Sequence, residues 1–192
     1  MNGFAKRTQE KKNSIIIAAR ELFFAQGVTD TKMADIAKQA GVSQVTIYNY
    51  FGSKENLLRK VMGQVMSQAF AQSQAILQED IPFTEKLAKV MDMKQVFNED
   101  TSQKFLDSVA WKDPALQELY QEMTSKYALP LLKSLLEQGK EQEAIHPSIT
   151  WEAFVDYTTA IRGILTRPDW LKASQEHKLA IHRLFFYGLL GE

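Results

Sequence analysis

Apolar residues recur at helical spacing along nearly the whole chain, and no stretch shows the alternation of a half-buried strand. The first predicted helix runs from about Gln9 to Gln26, with Ile15, Ala18, Ala19, Leu22 and Phe23 on one face and Gly27 placed to end it. A short second helix spans about Lys32 to Gln39. Met33, Ile36, Ala37 and Ala40 form its inner stripe, and Thr31 is the expected N-cap. After Gly41 and Val42, Ser43 can cap a third helix from Gln44 to about Tyr50. Gly52 and Ser53 break the chain. A long fourth helix then starts near Lys54, with Leu57, Leu58, Val61, Met62, Val65 and Ala69 inward. Beyond it, Pro82, Pro114, Pro130, Pro147 and Pro168 punctuate helices expected at roughly 84–98, 101–110, 114–142 (kinked near Pro130), 149–166 and 170–190. The pattern predicts an all-α protein. Residues 1–53 form a three-helix head, and residues 54–192 form a helical bundle joined to it by the fourth helix.

The stretch from Met33 to Leu58, MADIAKQAGVSQVTIYNYFGSKENLL, carries the chemistry. Two short helices meet at a turn of three to four residues around Gly41, the helix-turn-helix pattern. Glycine permits the left-handed backbone such a turn needs. Ala37 and Ala40 are small enough to let the next helix approach, and Val42 and Ile47 supply the wedge between them. On the third helix, Ile47, Tyr50 and Phe51 fit an inner face. Gln44, Val45, Tyr48 and Asn49 fit an outer one, with Thr46 at the border. Outward Gln and Asn can bond adenine edges, and Val45 and the Thr46 methyl can touch thymine methyls. The Thr46 and Tyr48 hydroxyls suit phosphate oxygens. Lys54, in the first turn of the fourth helix, adds a cation where free backbone N–H groups already favour an anion.

The segment AGVSQVTIYNYFGSKENLL resembles the TetR family signature. In that signature AGVS leads to a T-x-Y triplet, then F, S-K-E and L. Here those elements are Ala40–Ser43, Thr46–Tyr48, Phe51, Ser53–Glu55 and Leu57. The resemblance covers about residues 10–60. It implies a homodimer whose heads bind a roughly palindromic double-stranded DNA operator, and whose C-terminal bundle binds a small ligand that alters DNA affinity. It marks Gln44, Val45 and Asn49 as base-facing. It places Thr46, Tyr48, Tyr50 and Lys54 at positions that touch phosphates or flank the bases, with Ser43 at the cap between the two helices. Thr31 matches the start of the helix that crosses the DNA backbone. Lys32 stands where many relatives carry a small hydroxyl residue, so that contact would differ.

Charge adds to this picture. The 192 residues carry no net charge, yet residues 1–60 hold ten Lys/Arg against five acids, a head of +5 on a body of −5. A basic head suits phosphates. Part of the surplus is the cluster Lys6, Arg7, Lys11 and Lys12, expected to be either a solvated basic tail or an arm that reaches the DNA. With 45% hydrophobic residues the chain can build a core. Met1 to Asn13 lacks the apolar run of a signal peptide, and no run is long enough to span a bilayer, so a cytoplasmic protein without a membrane partner is expected. No cysteine is present, which excludes disulfides, thiolate metal sites and cysteine nucleophiles.

The resemblance places the dimer interface on the last two long helices. Leu184 to Leu190 is apolar around nearly the whole helix, so one face could pack on its own core and the other on a second copy. The residues expected at this interface are Phe154, Thr158, Ile161, Leu165, Leu184, Phe185 and Leu189, with Gly163 allowing close approach. A ligand pocket would draw on Met91, Phe97, Phe105, Trp111, Tyr120, Met123, Tyr127 and Tyr157, joined by Met93 and Trp151. Large apolar side chains with a few polar tips suit a mainly hydrophobic molecule. The same residues also describe any helical core.

Three histidines offer little to a metal. His177 and His182 are five residues apart and do not share a helix face, and His146 precedes Pro147. No Gly-rich phosphate loop, G-x-S-x-G or zinc motif is present, so neither an enzyme nor a cofactor is expected. The serious alternative is a DNA-binding head whose body answers to a protein partner rather than to a ligand.

Overall fold

A computed structural model describes residues 3–93, 114–165, 167, 169–170 and 173–190. Among them every regular element is helical. The order is α1 (Gly3–Gln26), α2 (Met33–Ala40), α3 (Gln44–Phe51), α4 (Lys54–Leu77), α5 (Phe83–Met93), α6 (Pro114–Met123), a π turn (Thr124–Ala128), α7 (Leu129–Glu141), α8 (Trp151–Leu165) and α9 (Gln175–Leu190). The helix expected at 101–110 lies outside the described residues.

α1 begins six residues earlier than its apolar stripe suggested. Nothing from Gly3 onward breaks a helix, and Ala5, Lys6 and Arg7 favour one. α9 begins later than expected, because the Ser174 hydroxyl accepts from the His177 amide at 3.2 Å and caps it there. Trp170 precedes that cap and is buried. The anticipated kink near Pro130 takes the form of the π turn just before it. Proline has no N–H to return to residue 126, and a wider turn relieves the ring's clash with the preceding carbonyl.

Contacts divide the chain into two units. The first holds α1 to α3, α4 as far as Ala69, and α6. Its core is Ile15, Ile16, Ala18, Ala19 and Phe23 of α1, Met33, Ile36 and Ala37 of α2, Ile47 of α3, and Leu57, Leu58 and Val61 of α4. The second holds α4 from Phe70, then α5, and everything after Met123. Leu77, Phe83, Leu87, Val90, Leu135, Leu136, Ile145, Phe154, Phe185 and Leu189 form its core.

Two features of the second unit could not be read from residue patterns. Lys86 is buried. Its ammonium donates to the Leu77 carbonyl at the end of α4 (2.9 Å) and to Gln138 Oε1 on α7 (3.0 Å), so it caps one helix and ties it to another. Gly139 is a packing position. A Cβ there would stand 2.5 Å from Ile145 Cδ1 and 2.9 Å from Phe83 Cζ, both on fully buried side chains. Gly139→Ala gains helix propensity worth about 1 kcal/mol. Overpacking costs about 1–3 kcal/mol and is expected to outweigh it. Urea unfolding checks the sign: a more stable variant would mean that Ile145 has room to move.

Candidate nucleic-acid interface

The turn between α2 and α3 is built as its residues require. Gly41 adopts φ 67°, and its N–H and that of Val42 bond back to the last turn of α2. Ser43 is the N-cap of α3. Its Oγ accepts from the Thr46 amide at 3.1 Å and lies 2.9 Å from the Thr46 hydroxyl. Ile47 is fully buried, which fixes the outward direction of this two-turn helix.

That outward face carries Gln44, Val45, Tyr48 and Asn49, all exposed. Val45 is 66% and Tyr48 46% exposed, large apolar surfaces left in water in a helix whose opposite side is core. Their spacing groups Gln44 with Tyr48 and Val45 with Asn49, four residues apart. The face therefore presents two amides, a phenol and an aliphatic side chain, the functional groups that read base edges and thymine methyls. Thr46 is half-buried at the border. Tyr50 and Phe51 are half-buried against the head core, edge to face with centroids 6.5 Å apart.

Lys54 is half-buried in the first turn of α4, where the Ser53 hydroxyl accepts from the Asn56 amide. Its ammonium lies 3.5 Å from the Thr29 carbonyl, a weak contact that leaves donors for an anion. Lys32 is exposed and holds the N-cap position of α2 through its backbone, with no side-chain cap.

Thr31 departs from expectation on both counts. It is neither the N-cap of α2 nor open to a phosphate. The residue is 1% exposed, and its hydroxyl donates to the Gly27 carbonyl at 2.7 Å while Gln26 Nε2 donates to it at 3.3 Å. A hydroxyl five residues past the end of α1 closes the loop back on that helix. Lys12 is a residue the sequence reading left undecided: its ammonium sits over the Tyr50 ring, 5.4 Å from the centroid. The rest of that cluster, Lys6, Arg7 and Lys11, is exposed on α1.

Few of the residues expected in a ligand pocket are among those described. Phe97, Phe105 and Trp111 lie outside the described residues, as do the side chains of Met91, Met93 and Tyr120. Met123 is buried at the end of α6. Tyr127, in the π turn, stacks on Phe70 of α4 with centroids 5.6 Å apart. Tyr157 stacks on Phe185 at 5.7 Å, and its hydroxyl donates to the carbonyls of Leu184 (3.3 Å) and Phe185 (3.2 Å). Burial raises its pKa above the ordinary phenol value. Tyr157 thus braces α8 against α9, a role that accounts for its burial without a ligand.

The residues expected at the dimer interface also divide. Phe154, Phe185 and Leu189 are 8% exposed or less and belong to the protomer's own core, so they are not surface that a second copy could cover. Thr158 bonds the Phe154 and Val155 carbonyls of its own helix, and Ile161 packs on the same core. The Leu165 side chain lies outside the described residues. Leu184 is 62% exposed, and Leu179 and Tyr187 join it on the outer side of α9 at 54% and 57%. The sequence reading left these two out: from Leu184 to Leu190 the helix is apolar around nearly its whole circumference, and Leu179 lies before that run.

No described helix is long and apolar enough to cross a membrane. Among the described residues no three His, Asp or Glu gather in a metal-binding group.

Residues 15–61 match the family model of bacterial regulatory proteins, tetR family. The chain is 36% identical over 86 residues to the fatty acid metabolism regulator protein of Bacillus subtilis (strain 168), covering 45% of this chain and 44% of that protein. The chain therefore matches less than half the length of that relative. Over 141 residues it is 27% identical to the HTH-type transcriptional regulator YhgD of the same organism, covering 72% of this chain and 73% of YhgD. The fold is shared with the crystal structure of the transcriptional regulator FadR from Bacillus subtilis in complex with stearoyl-CoA. That match has a TM-score of 0.63 at 23% identity and covers 92% of this chain and 98% of that one.

Proposed function

We propose that this chain, whose residues 15–61 match the tetR family model, is a regulator of that type: it binds an inverted-repeat operator as a homodimer, occludes a promoter, and releases it when a mainly apolar ligand occupies the C-terminal bundle. The observation that carries the reading is the outer face of α3. Gln44, Val45, Tyr48 and Asn49 stand in water together, in a region, residues 1–60, with a surplus of five positive charges. A dimer would set two such helices in successive major grooves about 34–36 Å apart, or a multiple of one helical turn. The outer face of α9, with Leu179, Leu184 and Tyr187, is the surface the second copy would cover. The candidate ligand is a long-chain acyl-CoA, since a protein of the same fold is seen with stearoyl-CoA. Ligand coupling of this kind is typically worth about 1–3 kcal/mol.

Selection of bound sequences from a random duplex pool, at a stated salt concentration, tests the DNA reading. Enrichment of an inverted repeat supports it, and enrichment of nothing even at low salt rejects it. Titrating stearoyl-CoA into the operator complex tests the ligand. Release at micromolar concentrations supports an acyl chain. No release there or with other apolar molecules favours a protein partner.

Two substitutions separate reading from gripping. Gln44→Ala is expected to relax preference at one base pair by about 1–3 kcal/mol, with the salt dependence unchanged. Lys54→Ala is expected to weaken binding to all duplexes alike and to reduce the slope of log K against log salt by about 0.9. If Gln44→Ala keeps full sequence preference, the side chain does not face a base.

A further inference from the structure

We propose that Lys12 is a positioning residue for the DNA-reading helix, acting through the Tyr50 ring rather than through a phosphate. The inference rests on the DNA-binding reading above and adds to it the device that sets the angle of α3.

α3 has two turns and one fully buried side chain, Ile47. Ile47 sets which side of α3 faces outward, and the finer angle of so short a helix is set by what holds its two ends. The N-terminal end has the Ser43 cap. The other end has Tyr50, half-buried and in edge contact with Phe51. Lys12 approaches that ring from α1, its ammonium 5.4 Å from the ring centroid. A cation within about 6 Å of an aromatic face is held there by the ring's quadrupole. Lys12 is half-buried, unlike Lys6, Arg7 and Lys11, which stand exposed on the same helix. Its stem therefore packs where theirs lie in solvent, and its head is already engaged.

Two residues along, the Ser14 hydroxyl of α1 lies 3.5 Å from the Ala40 carbonyl at the end of α2. Neighbouring positions of α1 thus hold the end of α2 and the end of α3. The outward side chains Gln44, Val45, Tyr48 and Asn49 turn with α3 as one body. Base readout tolerates about 10–20° of misorientation, so a pin at Tyr50 bears on sequence preference rather than on the total charge offered to DNA.

The test uses the full chain and the duplex selected by the wild type, with Lys12→Met, Lys12→Arg, Tyr50→Leu and the double variant Lys12→Met/Tyr50→Leu. Lys12→Met is expected to lower the preference for that duplex over random DNA by about two- to fivefold, the worth of a cation–π pair of this exposure. The salt slope should stay at the wild-type value. Lys12→Arg, which keeps the cation over the ring, should stay within about twofold of the wild type. In the Tyr50→Leu background, Lys12→Met should cost nothing further. A slope reduced by about 0.9 in Lys12→Met would make Lys12 a phosphate contact and overturn the proposal. Losses that simply multiply in the double variant would overturn it as well. The same four proteins compared by thermal unfolding without DNA measure the Lys12–Tyr50 coupling directly. If the wild type selects no duplex, the DNA reading fails, and this cycle still decides whether the pin exists: additive shifts in Tm would dismiss it.

Discussion

Leu184→Glu is expected to convert the proposed dimer into monomers and to weaken operator binding by about 10²- to 10⁴-fold, the gain that linking two binding heads can supply. Leu184 is 62% exposed in the protomer, so a glutamate there meets water and leaves the protomer core intact. In a two-fold interface the substitution appears twice, and each carboxylate would be buried among Leu179 and Tyr187 without a partner. Sedimentation at micromolar concentration reads the oligomer, and circular dichroism confirms that the helices persist. A variant that remains dimeric with operator affinity unchanged would move the interface off the outer face of α9. Phe185→Glu serves as the contrast. Phe185 is 8% exposed and stacked on Tyr157, so that change should unfold the second unit rather than merely separate two copies.

Ile47→Ala is expected to destabilise the head by about 2–5 kcal/mol, the usual cost of truncating a fully buried branched side chain. Ile47 is 0% exposed and is the only fully buried side chain of α3. Its loss leaves a void in the core that it shares with Ile15, Ile36 and Leu57. Sequence-specific binding should fall with it. Val45→Ala on the opposite face removes a similar volume from a position that is 66% exposed, and stability should move by less than about 0.5 kcal/mol. Denaturant unfolding monitored alongside operator titration separates the two. Equal stability losses at both positions would mean that α3 is rotated from the orientation described here.

Much of the head was legible because its residues obey local rules. Gly41 and Ser43 specify a turn and a cap through their own backbone and side-chain chemistry, and a helix with Ile47 on one side and Gln44, Val45, Tyr48 and Asn49 on the other has one way to face a core. Thr31 shows where such rules stop. A threonine before a short helix has the form of an N-cap, yet a hydroxyl that finds the Gly27 carbonyl gains a buried hydrogen bond instead. Which partner wins depends on how the loop folds back.

The same division runs through the whole chain. Helical periodicity, glycine and proline positions and the charge contrast between head and body are properties of neighbouring residues, and they sufficed for the helices of the described residues and a basic N-terminal head. Other assignments needed distant residues brought together. The end of α9 from Leu184 onward is apolar on nearly every side, so only packing separates Phe185 and Leu189, which belong to the core, from Leu184 and Tyr187, which do not. Lys86 caps α4 from inside the core, Tyr157 braces α9, and Lys12 finds a ring on a helix nearly forty residues away. These roles follow from which partners the fold supplies. A lysine or tyrosine is compatible with core, surface or site, and its energy is set by the groups that surround it.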